Sequence, residues 1–149
     1  MNEILKKYKN FNLDQIKIIK QGLEEGLTED QVSIYANPKF NVFQMDEIRV
    51  GLEIGLTIEQ IKLYANPNFD SSQMAQIRIG LQNKLTEKQV KIYANENFSC
   101  HQMYEIRMGL YSNLNVNLYA KPEIKSSDMH TIREYLSKRK SLGLDKITG

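Results

Sequence analysis

One residue type marks the whole chain at a fixed interval: Gly22, Gly51, Gly80 and Gly109 fall 29 residues apart. Gln15, Gln44, Gln73 and Gln102 keep that interval, as do Ile19, Ile48, Ile77 and Ile106. Tyr35, Tyr64 and Tyr93 follow it too. Tyr119 then arrives 26 residues later, because the fourth copy lacks three residues between Leu114 and Tyr119. A period of this length is the mark of stacked supersecondary units, none of which can bury its own apolar face alone. The expected fold is therefore all-α: a right-handed-type α-solenoid of tandem two-helix repeats, with half-repeat caps at both ends.

Each copy carries two helix-start signals. Asn12, Asn41, Asp70 and Ser99 stand as N-caps with Gln three positions on, the reciprocal pattern of a capping box. Phe11, Phe40, Phe69 and Phe98 precede those caps, and Ile16, Met45, Met74 and Met103 follow at the fourth position inside, as in a hydrophobic staple. The second helix repeats the device with Thr28, Thr57 and Thr86 as caps, Gln31, Gln60 and Gln89 three residues later, and Leu27, Leu56 and Leu85 stapled to Val32, Ile61 and Val90. It ends at Tyr-Ala-Asn-Pro in the first two copies, where proline cannot continue the ladder. The third copy has Glu96 in that place and must stop without it.

In the first helix Met45, Ile48 and Leu52 form an apolar face that only a neighbour can cover. The repeated glycine sits mid-helix, at a cost of about 1 kcal/mol relative to alanine. Four repetitions of that cost point to a steric need, most simply a close approach of two helices. The layout predicted over residues 1–149 is a single solenoid domain. It comprises a half unit at 1–10, copies at 11–39, 40–68, 69–97 and 98–123, a closing helix at 124–140 and a fraying tail at 141–149.

The consensus Gln-Met-x-x-Ile-Arg-x-Gly-Leu, followed by Leu-Thr-x-x-Gln-Val/Ile-x-x-Tyr-Ala-Asn-Pro-x-Phe, spans about residues 11 to 136. It is similar to an uncharacterised short helical repeat of proteins from phages and integrative elements of Gram-positive bacteria. The resemblance implies a mobile-element origin and brings no catalytic residue with it. The pattern lacks the signature residues of tetratricopeptide and ankyrin repeats, and HEAT repeats are longer.

Composition narrows function mostly by exclusion. The start of the sequence lacks a signal-peptide core and no run is long enough to span a bilayer, so a cytoplasmic protein without membrane contact is expected. The lone Cys100 rules out an intramolecular disulfide. With 20 basic and 18 acidic residues the net charge is +2, too little for a global pull toward nucleic acid. His101 and His130 stand at different phases of different copies and predict no metal site. No phosphate loop, nucleophile elbow or zinc-protease motif is present, so neither enzyme activity nor a cofactor is expected.

Two sets of residues are candidates for binding. Lys20, Arg49, Arg78, Arg107 and Arg133 give one cation per copy, which stacking would set about 10 Å apart along one surface. Such a ladder either receives an anionic partner, nucleic acid included, or packs its stems on the scaffold and bonds locally. Asp46 and Glu53 near Arg49, and Glu24 near Lys20, favour the second. Positions that vary between copies are the better guide to a partner. The fourth copy places Tyr104, Met108 and Tyr111 along one line with Arg107 between the tyrosines, residue types enriched at interfaces. The second copy offers Phe43, Val50 and Ile54, surplus to the core face. The function expected is non-enzymatic protein binding or scaffolding, in the form of an inhibitor that occludes a host protein. Nucleic-acid binding through the ladder is the alternative, and self-association through an exposed face is a third route.

Overall fold

A computed structural model of the chain describes residues 6–144. Among them the regular structure is entirely helical: α1 (Leu13–Glu24), α2 (Glu29–Tyr35), α3 (Val42–Glu53), α4 (Ile58–Ile61), α5 (Ser71–Gln82), α6 (Glu87–Tyr93), α7 (Cys100–Tyr111), a 3-10 turn (Val116–Leu118) and α8 (Ser126–Ser141). Long and short helices alternate, as the two start signals per copy predict. Most of the half unit expected at 1–10 lies outside the described residues or in turns, with Lys6 and Lys7 helical. Residues 145–149 of the expected tail also lie outside. The closing helix runs from Ser126 to Ser141, close to the predicted 124–140.

The helix starts form through the predicted chemistry. The side chains of Asn12, Asn41, Asp70 and Ser99 accept from the Gln backbone N–H three residues on at 2.8–3.1 Å, and the Gln Oε1 accepts from the cap N–H at 2.8–2.9 Å. Thr28, Thr57 and Thr86 pair with Gln31, Gln60 and Gln89 in the same way. Helix ends use more than proline. Asn37, Asn66 and Asn95 each accept a backbone N–H two residues on, the side-chain turn that asparagine favours. The third copy therefore turns without its proline. In the fourth, Lys121 replaces the asparagine and Pro122 is retained, and the backbone bond from Ile124 N–H to the Lys121 carbonyl still closes the turn.

The chain divides into two units by its internal contacts, Met1–Arg78 and Ile79–Gly149, with the border inside α5. In the first unit α1 packs on α2 and α3, and α3 on α2 and α4, around Ile19, Tyr35, Met45, Ile48, Ile61 and Tyr64. In the second, α7 packs on α6, the 3-10 turn and α8 around Val90, Tyr93, Met103, Ile106, Tyr119 and Met129.

The mid-helix glycine answers a steric need, but a side chain rather than a neighbouring helix creates it. A Cβ on Gly22, Gly51, Gly80 or Gly109 would overlap the hydroxyl of Tyr35, Tyr64, Tyr93 or Tyr119 respectively. Those hydroxyls reach the first helix for its carbonyls: Tyr64 donates to Glu47 O at 2.9 Å, Tyr119 to Glu105 O at 2.7 Å and Tyr35 to Ile18 O at 3.2 Å. Each of these carbonyls lies four residues before its glycine, so the missing Cβ opens the backbone where the phenol must enter. The deletion in copy four keeps this lock. Leu114 N–H bonds Gly109 O as Leu56 N–H bonds Gly51 O, and the 3-10 turn then delivers Tyr119 to its glycine in fewer residues.

The repeated glutamine also ties one copy to the next. Beyond the capping box, Gln15 Nε2 donates to Phe40 O at 2.7 Å and Gln44 Nε2 to Phe69 O at 2.6 Å. In the second unit Gln102 Nε2 reaches Ile124 O at 2.7 Å. One buried amide thus starts its own helix and satisfies a turn carbonyl of the following copy.

The register ends at α8. By alignment with α7, Asp128 stands where Gln102 would recur and Tyr135 where Gly109 would, and Lys125 takes the cap position without a side-chain cap bond. Neither the glutamine link nor the glycine lock recurs on this helix.

Candidate functional site

The cation ladder is largely occupied by local partners. Arg49 is buried, with Nη2 at 2.6 Å from Asp46 Oδ1 and Nη1 at 2.7 Å from Glu53 Oε2. Burial works against its charge, yet the hydrogen bonds and charges of those two carboxylates hold its pKa above the ordinary value. Arg78 Nε donates to Glu47 Oε2 at 2.7 Å, and Arg133 Nε to Glu105 Oε2 at 2.8 Å. Lys20 remains exposed beside Glu24, at 3.7 Å. The local acids named for Arg49 and Lys20 are the partners found. Glu47 and Glu105 were not singled out, although a copy-by-copy alignment sets them in one column with Ile18 and Gln76. That column becomes informative once Arg78 and Arg133 are known to reach back to the preceding copy, while Arg49 bonds on its own helix.

Arg107 is held differently. Its guanidinium lies 5.3 Å from the ring centroids of both Tyr104 and Tyr111, and Nη1 donates to the Tyr111 hydroxyl at 2.9 Å. A cation between two aromatic faces gains about 0.5 to 2 kcal/mol per face, more as it is desolvated, and Arg107 is buried. The Tyr111 hydroxyl also accepts from Asn83 Nδ2 at 3.0 Å, which ties α7 to the turn after α5. Of the four predicted contact residues in this copy, Arg107 and Tyr111 are therefore engaged with the scaffold. Met108 is half-buried, and Tyr104 presents 40% of its surface to solvent.

Tyr104 also lines an open groove of about 430 Å³ between α7 and the start of α8, with His101, Glu105, Ser126, Ser127 and His130. Both histidines of the chain meet here despite their different phases in the sequence. His130 Nδ1 lies 3.2 Å from Glu105 Oε1 and Nε2 lies 2.5 Å from Glu134 Oε1, while Arg133 Nη2 approaches Nδ1 at 3.1 Å. Glu105 is buried and shared between Arg133 and His130. Among the described residues no group of three or more His, Cys, Asp or Glu side chains is placed to hold a metal ion. The arrangement braces α8 on α7 and frames the tyrosine ring.

In the first unit, Phe43 and Ile54 are exposed on α3 and Val50 is half-buried. This stripe lies away from the core residues Met45, Ile48 and Leu52 of the same helix. No helix among the described residues is long and apolar enough to cross a membrane. Compared with protein-family models, curated proteins and solved structures, the chain matches none of them.

Proposed function

We propose that this chain is a non-enzymatic protein-binding or scaffolding protein, built as a right-handed-type α-solenoid closed by half units. In this reading it works in the cytoplasm and, in the mobile-element setting its repeat resembles, inhibits a host protein by occluding it. The observation that carries the reading is the presentation of Tyr104. Its ring is exposed, backed by a buried guanidinium, and that guanidinium is braced in turn by Tyr111 and Asn83. An aromatic group held in place before contact loses little side-chain freedom on binding, which is what makes such residues effective anchors. Phe43, Val50 and Ile54 add a second apolar surface in the other unit.

The nucleic-acid alternative draws less support, because the guanidiniums of Arg49, Arg78 and Arg133 face carboxylates. The test is affinity capture from lysate with the full chain and with Tyr104→Ala. Loss of a specific protein partner by about tenfold or more, with helix content unchanged, supports the reading; a hot-spot aromatic contributes 2 kcal/mol or more by rough rule. Equal capture of every partner by the variant, or retention of DNA and RNA at low salt, counts against it.

A further inference from the structure

Two exposed apolar stripes stand on helices with rims of opposite charge, one in each unit. Phe43 and Val50 on α3 and Ile54 at its C-cap lie at i, i+7 and i+11, one face about 16 Å long. Phe43 is 69% exposed and Ile54 45%. The rim of this stripe is acidic: Asp46 and Glu53 share the single guanidinium of Arg49, and Glu47 is balanced by Arg78. Tyr135 on α8 and Leu142 at its C-cap lie at i and i+7 and are 59% and 63% exposed, with Leu144 just beyond. Lys138 is exposed beside them, the guanidinium of Arg139 lies 5.8 Å from the centroid of the Tyr135 ring with Nη2 donating to Leu144 O, and Lys140 Nζ donates to Ser112 O. Residues 135–144 contain no Asp or Glu. The whole units differ in the same sense. Met1–Arg78 has 9 basic and 11 acidic residues, a formal −2, and Ile79–Gly149 has 11 and 7, a formal +4.

We infer that the occupant of each stripe is the other stripe on a second copy of this chain, a head-to-tail contact of α3 on α8. Pairing α3 with α3, or α8 with α8, would set like charges against each other, whereas the crossed pairing buries two apolar stripes and matches their rims. The contact does not extend the repeat. Tyr135 stands where the glycine would recur and Asp128 where the glutamine would, so α8 offers neither the lock nor the link that a further copy uses. A nucleic-acid backbone would take up the cations of α8 but leave Tyr135 and Leu142 exposed, and would find no cationic stripe on α3. The inference does not rest on the partner-binding reading, since its readout contains this chain alone.

A heterologous contact made once leaves one free stripe on each copy, so it propagates unless a second α3–α8 contact closes the assembly. Sedimentation equilibrium of the full chain over a wide concentration series is expected to show mass rising above the monomer with concentration, with an association constant that falls severalfold as salt is added. Two variants then isolate the stripes: Phe43→Asp with Ile54→Asp, and Lys138→Glu with Leu142→Asp. Each alone is expected to stay monomeric, while their equimolar mixture forms a one-to-one dimer and goes no further. A strictly monomeric wild type, association of either variant alone, or a mixture that fails to pair overturns the inference. All four positions are exposed, so circular dichroism should match the wild type; the milder Phe43→Ser and Leu142→Ser pair repeats the mixing test if it does not.

Discussion

The hydroxyl of Tyr35 occupies the space a Cβ on Gly22 would fill and donates to Ile18 O at 3.2 Å, the carbonyl four residues before that glycine. Alanine in an open mid-helix position would gain about 1 kcal/mol over glycine. Here the overlap costs roughly 1 to 3 kcal/mol, and displacing the phenol forfeits a hydrogen bond of about 1 kcal/mol. Gly22→Ala is therefore expected to destabilise, by about 1 to 3 kcal/mol in urea unfolding. Tyr35→Phe removes the atom the new methyl would strike, so the double variant should lose less than the sum, with a coupling of about 0.5 to 3 kcal/mol. Strict additivity would show that the two residues do not share this space.

The same lock predicts how the protein fails in alkali. Burial raises the pKa of Tyr35, Tyr64, Tyr93 and Tyr119, with a neighbouring arginine pulling weakly the other way in each case. A group whose folded pKa is raised contributes stability that is fully present below its unfolded value, about 10 for a phenol, and lost as pH climbs above it. Stability should thus hold through neutral pH and fall above about pH 10. Of the eight tyrosines, these four should ionise together with the loss of far-ultraviolet helix signal. Smooth titration of all eight ahead of any helix loss would contradict the buried lock.

Much of this was legible in the sequence, because helix starts are local. A cap and its glutamine three residues away settle their pairing without the rest of the chain, and all seven predicted pairs form. Relations between copies were harder to read. The glycine interval announced a steric need, but not that a phenol thirteen residues later, or ten in the shortened fourth copy, would fill it. Arg49 was paired correctly because its acids lie on its own helix, while the partners of Arg78 and Arg133 lie about one copy back. At the candidate site, Phe43, Val50 and Ile54 were surplus to the core face, and of these Phe43 and Ile54 are exposed while Val50 is half-buried; Tyr104, singled out because its position varies between copies, is exposed as well. The engagement of Arg107 and Tyr111 did not, since it depends on Asn83 in the preceding copy.

The glutamine link separates two residues with identical local roles. Gln44 and Gln60 each complete a capping box, but Gln44 Nε2 also donates to Phe69 O and Pro67 O at 2.6 and 3.1 Å. Losing a cap partner costs about 0.5 to 1 kcal/mol at an exposed start, and leaving a buried carbonyl unpaired adds about 1 to 3 kcal/mol. Gln44→Ala should lower stability by about 2 to 4 kcal/mol and Gln60→Ala by less than about 1 kcal/mol. Gln44→Glu should be as harmful as alanine at neutral pH, since it keeps the cap acceptor but sets a carboxylate oxygen against two carbonyls. Equal losses at positions 44 and 60 would reduce the glutamine to its capping role.

The turn between the two helices of each copy offers a test of opposite sign. Gly26 and Gly55 adopt φ of 95° and 96° there, and the third and fourth copies place Lys84 and Asn113 at φ 75° and 56°. Asparagine tolerates this region, whereas lysine pays a left-handed penalty of about 1 to 2 kcal/mol. Introducing glycine also loosens the unfolded chain, which takes back roughly 0.5 to 1 kcal/mol. Lys84→Gly should then stabilise by about 0.5 to 1 kcal/mol, a rise in Tm of a few degrees for a chain of this length. Gly80→Ala, four residues earlier, should lower Tm, because there a Cβ meets the Tyr93 hydroxyl. The pair of thermal melts separates two uses of glycine within one turn of chain: at position 84 it would relieve backbone strain, and at position 80 it makes room for a side chain. A fall in Tm for Lys84→Gly would mean that the strain at Lys84 is smaller than the entropy glycine adds to the unfolded state.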